Sequence, residues 1–130
     1  MATVKSYNEK RDSKSLFDMM QREDDWTDYS GDDTAIKKYK IALAESVTYV
    51  LYDDDTCCGF IRARDDFGFN IFIHDLLVCK THRGKSYGKM LIEQLCKDFA
   101  GTIFVMSDAD EYYRKQGYTE IEGHIVIIKK

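Results

Sequence analysis

A basic, glycine-containing turn between an apolar strand and a helix is the part of this sequence best suited to bind a ligand. Residues 78–91 read Val-Cys-Lys-Thr-His-Arg-Gly-Lys-Ser-Tyr-Gly-Lys-Met-Leu. The first turn of a helix has four N–H groups without internal partners and a partial positive charge, so its main chain can bind phosphate. Gly84 and Gly88 let a ligand approach the backbone closely. Further positive charge comes from Arg83, Lys85 and Lys89.

Two common phosphate-binding motifs do not fit this turn. A P-loop ending in Gly-Lys-Ser at 84–86 needs a glycine five residues before Gly84, where the chain has Cys79. A P-loop running from Gly84 to Gly88 is one residue too short and ends in Met90 instead of serine or threonine. A dinucleotide-binding fingerprint needs a third glycine, which is missing at Leu91. Nucleotide hydrolysis and dinucleotide binding are therefore disfavoured.

The turn resembles the acyl-CoA loop of the GNAT acyltransferase superfamily. That loop reads Arg or Gln, two residues, Gly, any residue, then Gly or Ala, and Arg83, Ser86 and Gly88 occupy these places. A second stretch, residues 107–118, is similar to the late GNAT segment with an aromatic-Tyr pair followed by a Gly-aromatic turn. Both motifs occur in the family order, and the resemblance extends from about Val47 onward.

The resemblance implies acetyl-CoA as co-substrate, bound largely by main-chain groups. In the family these groups lie at the end of the central strand and in the loop. The corresponding positions here are Leu76, Leu77, Val78, Arg83, Gly84, Lys85, Ser86, Tyr87, Gly88 and Lys89. Ser86 stands where the family usually has glycine, and we expect it to fit if its φ stays negative. Lys80 stands where proline is frequent, which affects the stiffness of the loop.

The resemblance also implies a tyrosine close to the CoA sulfur, at the position of Tyr113. Its hydroxyl can act as general acid for the departing thiolate, while Tyr112 is expected to pack inward. The general base is open, because residues 102–106 contain no glutamate. Asp75 is one candidate, with a polar role at the sheet edge or facing a helix as the alternative, and His74 is another. Strand alternation predicts that the two side chains face opposite sides of the sheet. Asp108 is a further candidate with helix capping as the alternative, and ordered water could also perform the step.

An acidic segment at residues 23–33 lies where GNAT proteins commonly build the acceptor pocket. It carries six acidic side chains and two aromatic ones, so charge attraction and cation–π contacts would suit a cationic amine. Candidate substrate-binding residues are Trp26, Asp28 and Tyr29. The alternative is a solvated loop in which Asp32 or Asp33 caps the next helix.

Composition limits the remaining function classes. The 130 residues suffice for one domain over 1–130, and 44% hydrophobic with 32% charged residues are typical of a packed globular protein. The net charge of −4 disfavours nucleic-acid binding. With no long apolar run and no signal-peptide core, we expect no membrane partner and a cytoplasmic location. The four cysteines lack Cys-x-x-Cys spacing, so we expect free thiols in the core and no metal.

Periodicity predicts an α/β (α+β) domain with a central mixed, mostly antiparallel sheet flanked by helices. Predicted strands are residues 3–7, 46–52, 57–64, 70–78, 102–106, 118–122 and 124–129. Predicted helices are a first one capped by Asp12 or Ser13, then residues 33–44, 87–99 and 109–116. The apolar run at 125–128 could pair within the sheet or across a homodimer.

Two functions follow from this pattern. The first is an N-acetyltransferase that moves an acetyl group from acetyl-CoA to a primary amine of a small molecule or peptide. The alternative is a noncatalytic module that binds acyl-CoA or a partner protein through the same fold.

Overall fold

The computed structural model describes residues 1–105 and 110–118, which form five strands and five helices. The strands are β1 (Ala2–Ser6), β2 (Val47–Asp53), β3 (Thr56–Asp66), β4 (Asn70–Val78) and β5 (Thr102–Val105). The helices are α1 (Glu9–Gln21), α2 (Thr27–Ser30), α3 (Asp33–Glu45), α4 (Tyr87–Asp98) and α5 (Asp110–Lys115). The two predicted C-terminal strands, apart from Tyr118, and candidate Asp108 lie outside the described residues.

The described strands form one mixed sheet in the order β1-β2-β3-β4-β5. The first three pairings are antiparallel, and β4 pairs with β5 in parallel through the crossover helix α4. Two hairpins connect β2 to β3 and β3 to β4, with turns at residues 54–55 and 67–69. The predicted mixed, mostly antiparallel sheet flanked by helices is thus confirmed.

The first helix begins earlier than the sequence predicts. Its N-cap is Asn8, whose side chain accepts a hydrogen bond from the Arg11 N–H at 3.1 Å. Asp12, one of the two predicted caps, lies inside the first turn and is fully buried. There its carboxylate accepts hydrogen bonds from Tyr52 and from Arg11, which explains how an acid is tolerated in the core.

Two hydrophobic clusters pack on opposite faces of the sheet. The first joins the sheet to α1 and α3 through residues such as Leu16, Leu43 and Phe60. The second joins the sheet to α4 through residues such as Ile71, Leu91 and Leu95. The apolar stripe predicted for α4 is therefore the face that this helix buries.

A β-bulge at His74 changes which face the end of β4 presents. Arg62 pairs with Asp75, but the next residue of β3, Ala63, pairs with Ile73, so His74 is an extra residue. As a result, Ile73 belongs to the α4 cluster, whereas Leu77, an even number of residues later, belongs to the opposite cluster. Strand alternation from the sequence alone could not place these side chains.

Candidate acyl-CoA site

The predicted phosphate-binding turn connects β4 to α4 through a short 3-10 turn at Lys80–His82. Gly84 has φ +84° and Ser86 has φ +63°, so both residues adopt the left-handed conformation. The negative φ that we gave as the condition for Ser86 to fit the turn is therefore not met. A left-handed serine costs about 1 kcal/mol relative to a relaxed backbone. Ser86 immediately precedes α4, so the unpaired N–H groups of the first helical turn adjoin the glycine-containing loop.

Two contacts fix the turn to the rest of the domain. The Arg83 Nε donates a hydrogen bond to the Val78 carbonyl oxygen at 3.1 Å. The Glu23 carboxylate, which is only 6% exposed, accepts a hydrogen bond from the Lys80 N–H at 3.2 Å. The same carboxylate lies 3.6 Å from the Arg83 Nη2 and 3.8 Å from the Lys80 Nζ. The buried first acid of the acidic segment therefore holds the basic turn, a role that sequence spacing did not indicate.

A cavity of about 310 Å³ opens against the turn and the first residues of α4. Its lining residues are Val78, His82, Arg83, Gly84, Ser86, Tyr87, Gly88, Tyr112 and Gln116. Six of these are among the residues that we expected to bind acetyl-CoA. The two expected lysines lie elsewhere: the Lys85 Nζ is 3.8 Å from Asp53, and Lys89 is half-buried in the first turn of α4.

In the part of the chain that the structure describes, the main chain at the end of β4 has one side without a partner strand, its open side. Among the described residues, the pairing of β4 with β5 ends at Ile73 and Val105, so no described strand pairs with residues 75–78 on that side. The Cys79 N–H donates to the Cys58 carbonyl oxygen on β3 at 2.9 Å. Because ladder hydrogen bonds alternate along a strand, Leu77 also faces β3, while Leu76 and Val78 direct their main-chain groups to the open side. Of the three predicted strand residues, these two are therefore placed to bind a ligand through the backbone.

The two adjacent tyrosines of α5 have different surroundings. Tyr112 lines the cavity, and a β-carbon built on Gly88 would lie 1.9 Å from its hydroxyl oxygen. Tyr113 is half-buried and packs against the α4 cluster. Its ring meets that of Tyr112 edge-to-face, with 5.1 Å between the ring centres. The expected inward packing of Tyr112 is thus not what the structure shows. Burial raises the pKa of Tyr112 above that of an exposed tyrosine, which makes its hydroxyl a weaker acid.

Asp75 lies in a buried polar network with Arg62 and Tyr39. Its Oδ2 accepts hydrogen bonds from the Tyr39 hydroxyl at 2.6 Å and from the Arg62 Nε at 2.7 Å. The guanidinium of Arg62 also lies 5.5 Å from the centre of the Tyr39 ring. A carboxylate that is 5% exposed and bound to two donors is held in place by its partners. This geometry favours a structural role for Asp75 over the predicted role as general base.

His74, at the bulge next to Asp75, has an exposed side chain. Partial loss of hydration, followed by the charge of Arg62, lowers the pKa of His74 below its usual value. The neutral imidazole, which can accept a proton, therefore predominates at pH 7.

The predicted acidic loop is largely helical. A 3-10 turn at Asp24–Trp26 leads into α2, and Asp32 caps α3 by accepting a hydrogen bond from the Ala35 N–H at 2.8 Å. Trp26 packs 5.7 Å from both Tyr29 and Phe60, measured between ring centres. Both aromatic candidates are half-buried against the first cluster, whereas Asp28 is exposed. The segment thus combines half-buried aromatic side chains with exposed acidic ones.

The remaining expectations concern metals, membranes and thiols. Within residues 1–105 and 110–118, no three His, Cys, Asp or Glu side chains are arranged to hold a metal ion. No helix in that part of the chain is both long enough and apolar enough to span a bilayer. Cys57 and Cys58 are buried as expected, but Cys96 is exposed and Cys79 is partly exposed, so the prediction of four core thiols is wrong.

The profile of the Acetyltransferase (GNAT) family matches residues 13–118, which include the turn, the cavity and both tyrosines of α5. The chain belongs to this family. Among its GNAT relatives is an uncharacterized N-acetyltransferase, ycf52, of the alga Porphyra purpurea, 33% identical over 94 residues. That alignment covers 64% of this chain and 54% of the relative, so the chain matches about half the length of that protein. The histone acetyltransferase TAP1 of Glycine max is 36% identical over 66 residues, covering 46% of this chain and 29% of TAP1.

Solved GNAT structures share the fold across the whole chain. An aminoglycoside acetyltransferase from an uncultured soil metagenomic sample superposes with a TM-score of 0.75 at 21% identity, covering 100% of this chain and 99% of the other. The aminoglycoside N-acetyltransferase AAC(6')-Iy in complex with CoA also superposes with a TM-score of 0.75. Its identity is 15%, and the match covers 100% of this chain and 95% of the other. At these identities the similarity establishes the fold, and the acceptor has to be argued from this chain's own residues.

Proposed function

We propose that this protein transfers an acetyl group from acetyl-CoA to a cationic primary amine. The observation that carries the proposal is the continuity between the glycine-containing turn, the cavity and the open side of β4. The N–H groups of the turn suit the diphosphate, and the main chain of Leu76 and Val78 suits the amide-rich pantetheine arm.

The open main chain of β4 also suits the chemical step. The amine nitrogen attacks the thioester carbonyl carbon, and a backbone N–H of β4 stabilises the developing oxyanion. The carbon–sulfur bond then breaks, and the departing thiolate takes a proton from a nearby acid. The family position assigns this acid to Tyr113. Because Tyr112 lines the cavity, it is the second candidate.

We assign the base to His74 instead of Asp75. The Asp75 carboxylate is occupied by Tyr39 and Arg62, whereas the His74 imidazole is exposed and predominantly neutral at pH 7. His74 would accept the ammonium proton directly or through a water before the amine attacks.

The acidic surface supports a cationic acceptor. Asp24, Asp25 and Asp28 are all exposed on the segment that carries the Trp26–Tyr29 pair. Their charges attract an amine before binding, and a half-buried aromatic surface can contact its cationic group. Aminoglycosides, polyamines and lysine-containing peptides fit this description. As in the sequence-based proposal, a homodimer remains compatible with the fold.

The test is acetylation of a panel of these amines, measured by mass spectrometry. We expect at least one acceptor to be acetylated, with a KM that rises with salt. Tyr113→Phe and Tyr112→Phe distinguish the two acids, because loss of the true acid lowers kcat by about 10²-fold or more. Acetyl-CoA binding without acetylation of any amine would instead support the noncatalytic module.

A further inference from the structure

Three side chains beside the turn form a thiol–imidazole–carboxylate series outside the acetyl-transfer chemistry. The Cys79 Sγ lies 3.1 Å from the His82 Nδ1. On the other side of the ring, the His82 Nε2 lies 3.7 Å from the Asp53 Oδ2. The His82 ring is also stacked on Tyr87, with 6.2 Å between ring centres, so its orientation is constrained.

This order of groups is the one that activates a nucleophile. With its proton on Nε2, facing the Asp53 carboxylate, the His82 ring presents the Nδ1 lone pair to the Cys79 thiol. The thiol can then transfer its proton to the imidazole, and the thiolate is the reactive form of cysteine. The Thr81 hydroxyl lies 2.9 Å from the same Nδ1 and 3.5 Å from the Cys79 Sγ. Because Nδ1 has a single lone pair, it accepts the thiol proton when the Thr81 hydroxyl donates to the sulfur instead of to the ring.

The other cysteines of the chain lack this combination of access and base. Cys57 and Cys58 are buried, and burial raises the pKa of their thiols to about 12 and about 11. Cys96 is exposed on α4, but none of the described hydrogen bonds joins it to a histidine. Cys79 alone among the four has both partial exposure and a described imidazole contact.

We propose that Cys79 is a modification site, a thiol activated by His82 that reacts with hydrogen peroxide. The Cys79 proton passes to the His82 Nδ1, and the thiolate sulfur attacks one peroxide oxygen. The sulfur–oxygen bond forms as the oxygen–oxygen bond breaks, which oxidises the sulfur to a sulfenic acid. The hydroxide that leaves takes the proton from the imidazolium, so the peroxide is reduced to water.

The modification has a direct route to the ligand cavity. His82 lines that cavity, and an oxygen added to the Cys79 sulfur would displace the ring from its 3.1 Å contact. Oxidation of Cys79 therefore weakens acetyl-CoA binding. This second part rests on the proposed function, whereas the reactivity of the thiol does not.

The experiment treats the reduced protein with hydrogen peroxide at pH 7 and traps sulfenic acids with dimedone. Mass spectrometry then gives the labelling rates of Cys79 and Cys96 within the same molecules. Because His82 can accept the Cys79 proton during the attack, whereas no described hydrogen bond joins Cys96 to a histidine, we expect Cys79 to react roughly tenfold faster, although it is the less exposed of the two. Equal labelling rates of the two cysteines, or a faster rate at Cys96, would overturn the proposal in the wild-type protein alone.

Two variants separate activation from exposure. His82→Gln should reduce the Cys79 rate to about that of Cys96, while His74→Gln, a matched change of the exposed histidine on β4, should leave it unchanged. An unaltered Cys79 rate in His82→Gln would contradict the assignment of the base. Peroxide should also weaken acetyl-CoA binding in the wild type, reversibly with dithiothreitol, but not in Cys79→Ser. Equal affinity before and after oxidation of Cys79 would overturn the link to the cavity.

Discussion

The hydroxyl of Tyr112 lies against the backbone of Gly88, where a β-carbon would come within 1.9 Å of it. The next atom of the ring, Cζ, would be 3.2 Å away. The absence of a side chain at Gly88 therefore allows α5 to close one wall of the cavity against the start of α4. The second glycine of the turn thus shapes the cavity as well as exposing backbone.

Gly88→Ala should consequently impair ligand binding more than folding. Alanine is favoured over glycine within a helix by about 1 kcal/mol, but its methyl group would push the Tyr112 ring into the cavity. We expect an unchanged melting temperature within a few degrees and a clearly weaker affinity for acetyl-CoA, measured by calorimetry. Adding Tyr112→Phe, which removes the nearest atom, should restore part of the affinity. A Gly88→Ala protein that binds as tightly as the wild type would show that this contact does not shape the site.

Glu23 offers a test of how the basic turn is held. In Glu23→Gln the side chain can still accept the Lys80 N–H, but it no longer neutralises the Arg83 and Lys80 cations. We expect acetyl-CoA to bind about threefold more tightly in this variant, in line with the small energies of ion pairs whose cations are exposed.

Glu23→Ala removes the hydrogen bond as well and should weaken binding, because the turn loses its anchor. Asp24→Asn, an equal change of charge on the exposed neighbouring residue, is the control and should have little effect. Tighter binding in Glu23→Ala would mean that Glu23 acts only through its charge.

Asp75→Asn distinguishes a structural acid from a catalytic base. The variant leaves the Arg62 guanidinium, whose side chain is 15% exposed, without its charged partner. We expect the free energy of unfolding to fall by about 3 kcal/mol, as when one partner of a buried ion pair is removed. Activity per folded molecule, measured well below the melting temperature, should fall by less than the roughly 100-fold expected for a lost general base. His74→Gln should show the reverse, with normal stability and a large loss of kcat.

Tyr7 links stability to alkaline pH. Its hydroxyl oxygen is buried without a hydrogen-bond partner among the described residues, and burial raises its pKa to about 12. The unfolded chain loses this proton near pH 10, so the folded protein binds more protons between about pH 10 and 12, and stability falls as pH rises through that window. Tyr7→Phe should remove this part of the loss of stability at alkaline pH. It should leave the free energy of unfolding at pH 7 unchanged.

Tyr49→Phe is the matched control, because the Tyr49 hydroxyl donates a hydrogen bond to the Asp98 carboxylate. It should lower stability at pH 7 by about 1 to 2 kcal/mol, as expected for a lost hydrogen bond to a charged group. Thermal unfolding of both variants at pH 7 and pH 10.5 is the measurement. Equal destabilisation by the two changes at pH 7 would contradict the unpaired state of the Tyr7 hydroxyl.

The order of elements and the position of the turn could be predicted because periodicity and glycine spacing are local signals. The amphipathic stripe of α4 and the cap at Asp32 are examples. Local signals failed where several residue types suit one role: Asn8, four residues before the predicted Asp12, caps α1.

Features that depend on distant neighbours were not predictable. The bulge at His74 arises from the register between β3 and β4, and it decides which face Asp75 occupies. The left-handed Ser86 follows from the path of the turn into α4. The contact of Glu23 with Lys80 joins residues that are 57 positions apart in the chain, so no local signal connects them.

Calorimetry with acetyl-CoA and two truncated analogues tests the central claim most directly, namely that the turn at residues 83–88 binds the diphosphate of the thioester carrier. S-acetyl-phosphopantetheine keeps the pantetheine-side phosphate of the diphosphate, whereas S-acetyl-pantetheine lacks it and is otherwise identical. Two hydrogen bonds to a charged group contribute about 3 kcal/mol together, so S-acetyl-pantetheine should bind roughly 100-fold more weakly than S-acetyl-phosphopantetheine. Equal affinities of these two analogues, or no binding of acetyl-CoA to the folded protein, would contradict the account.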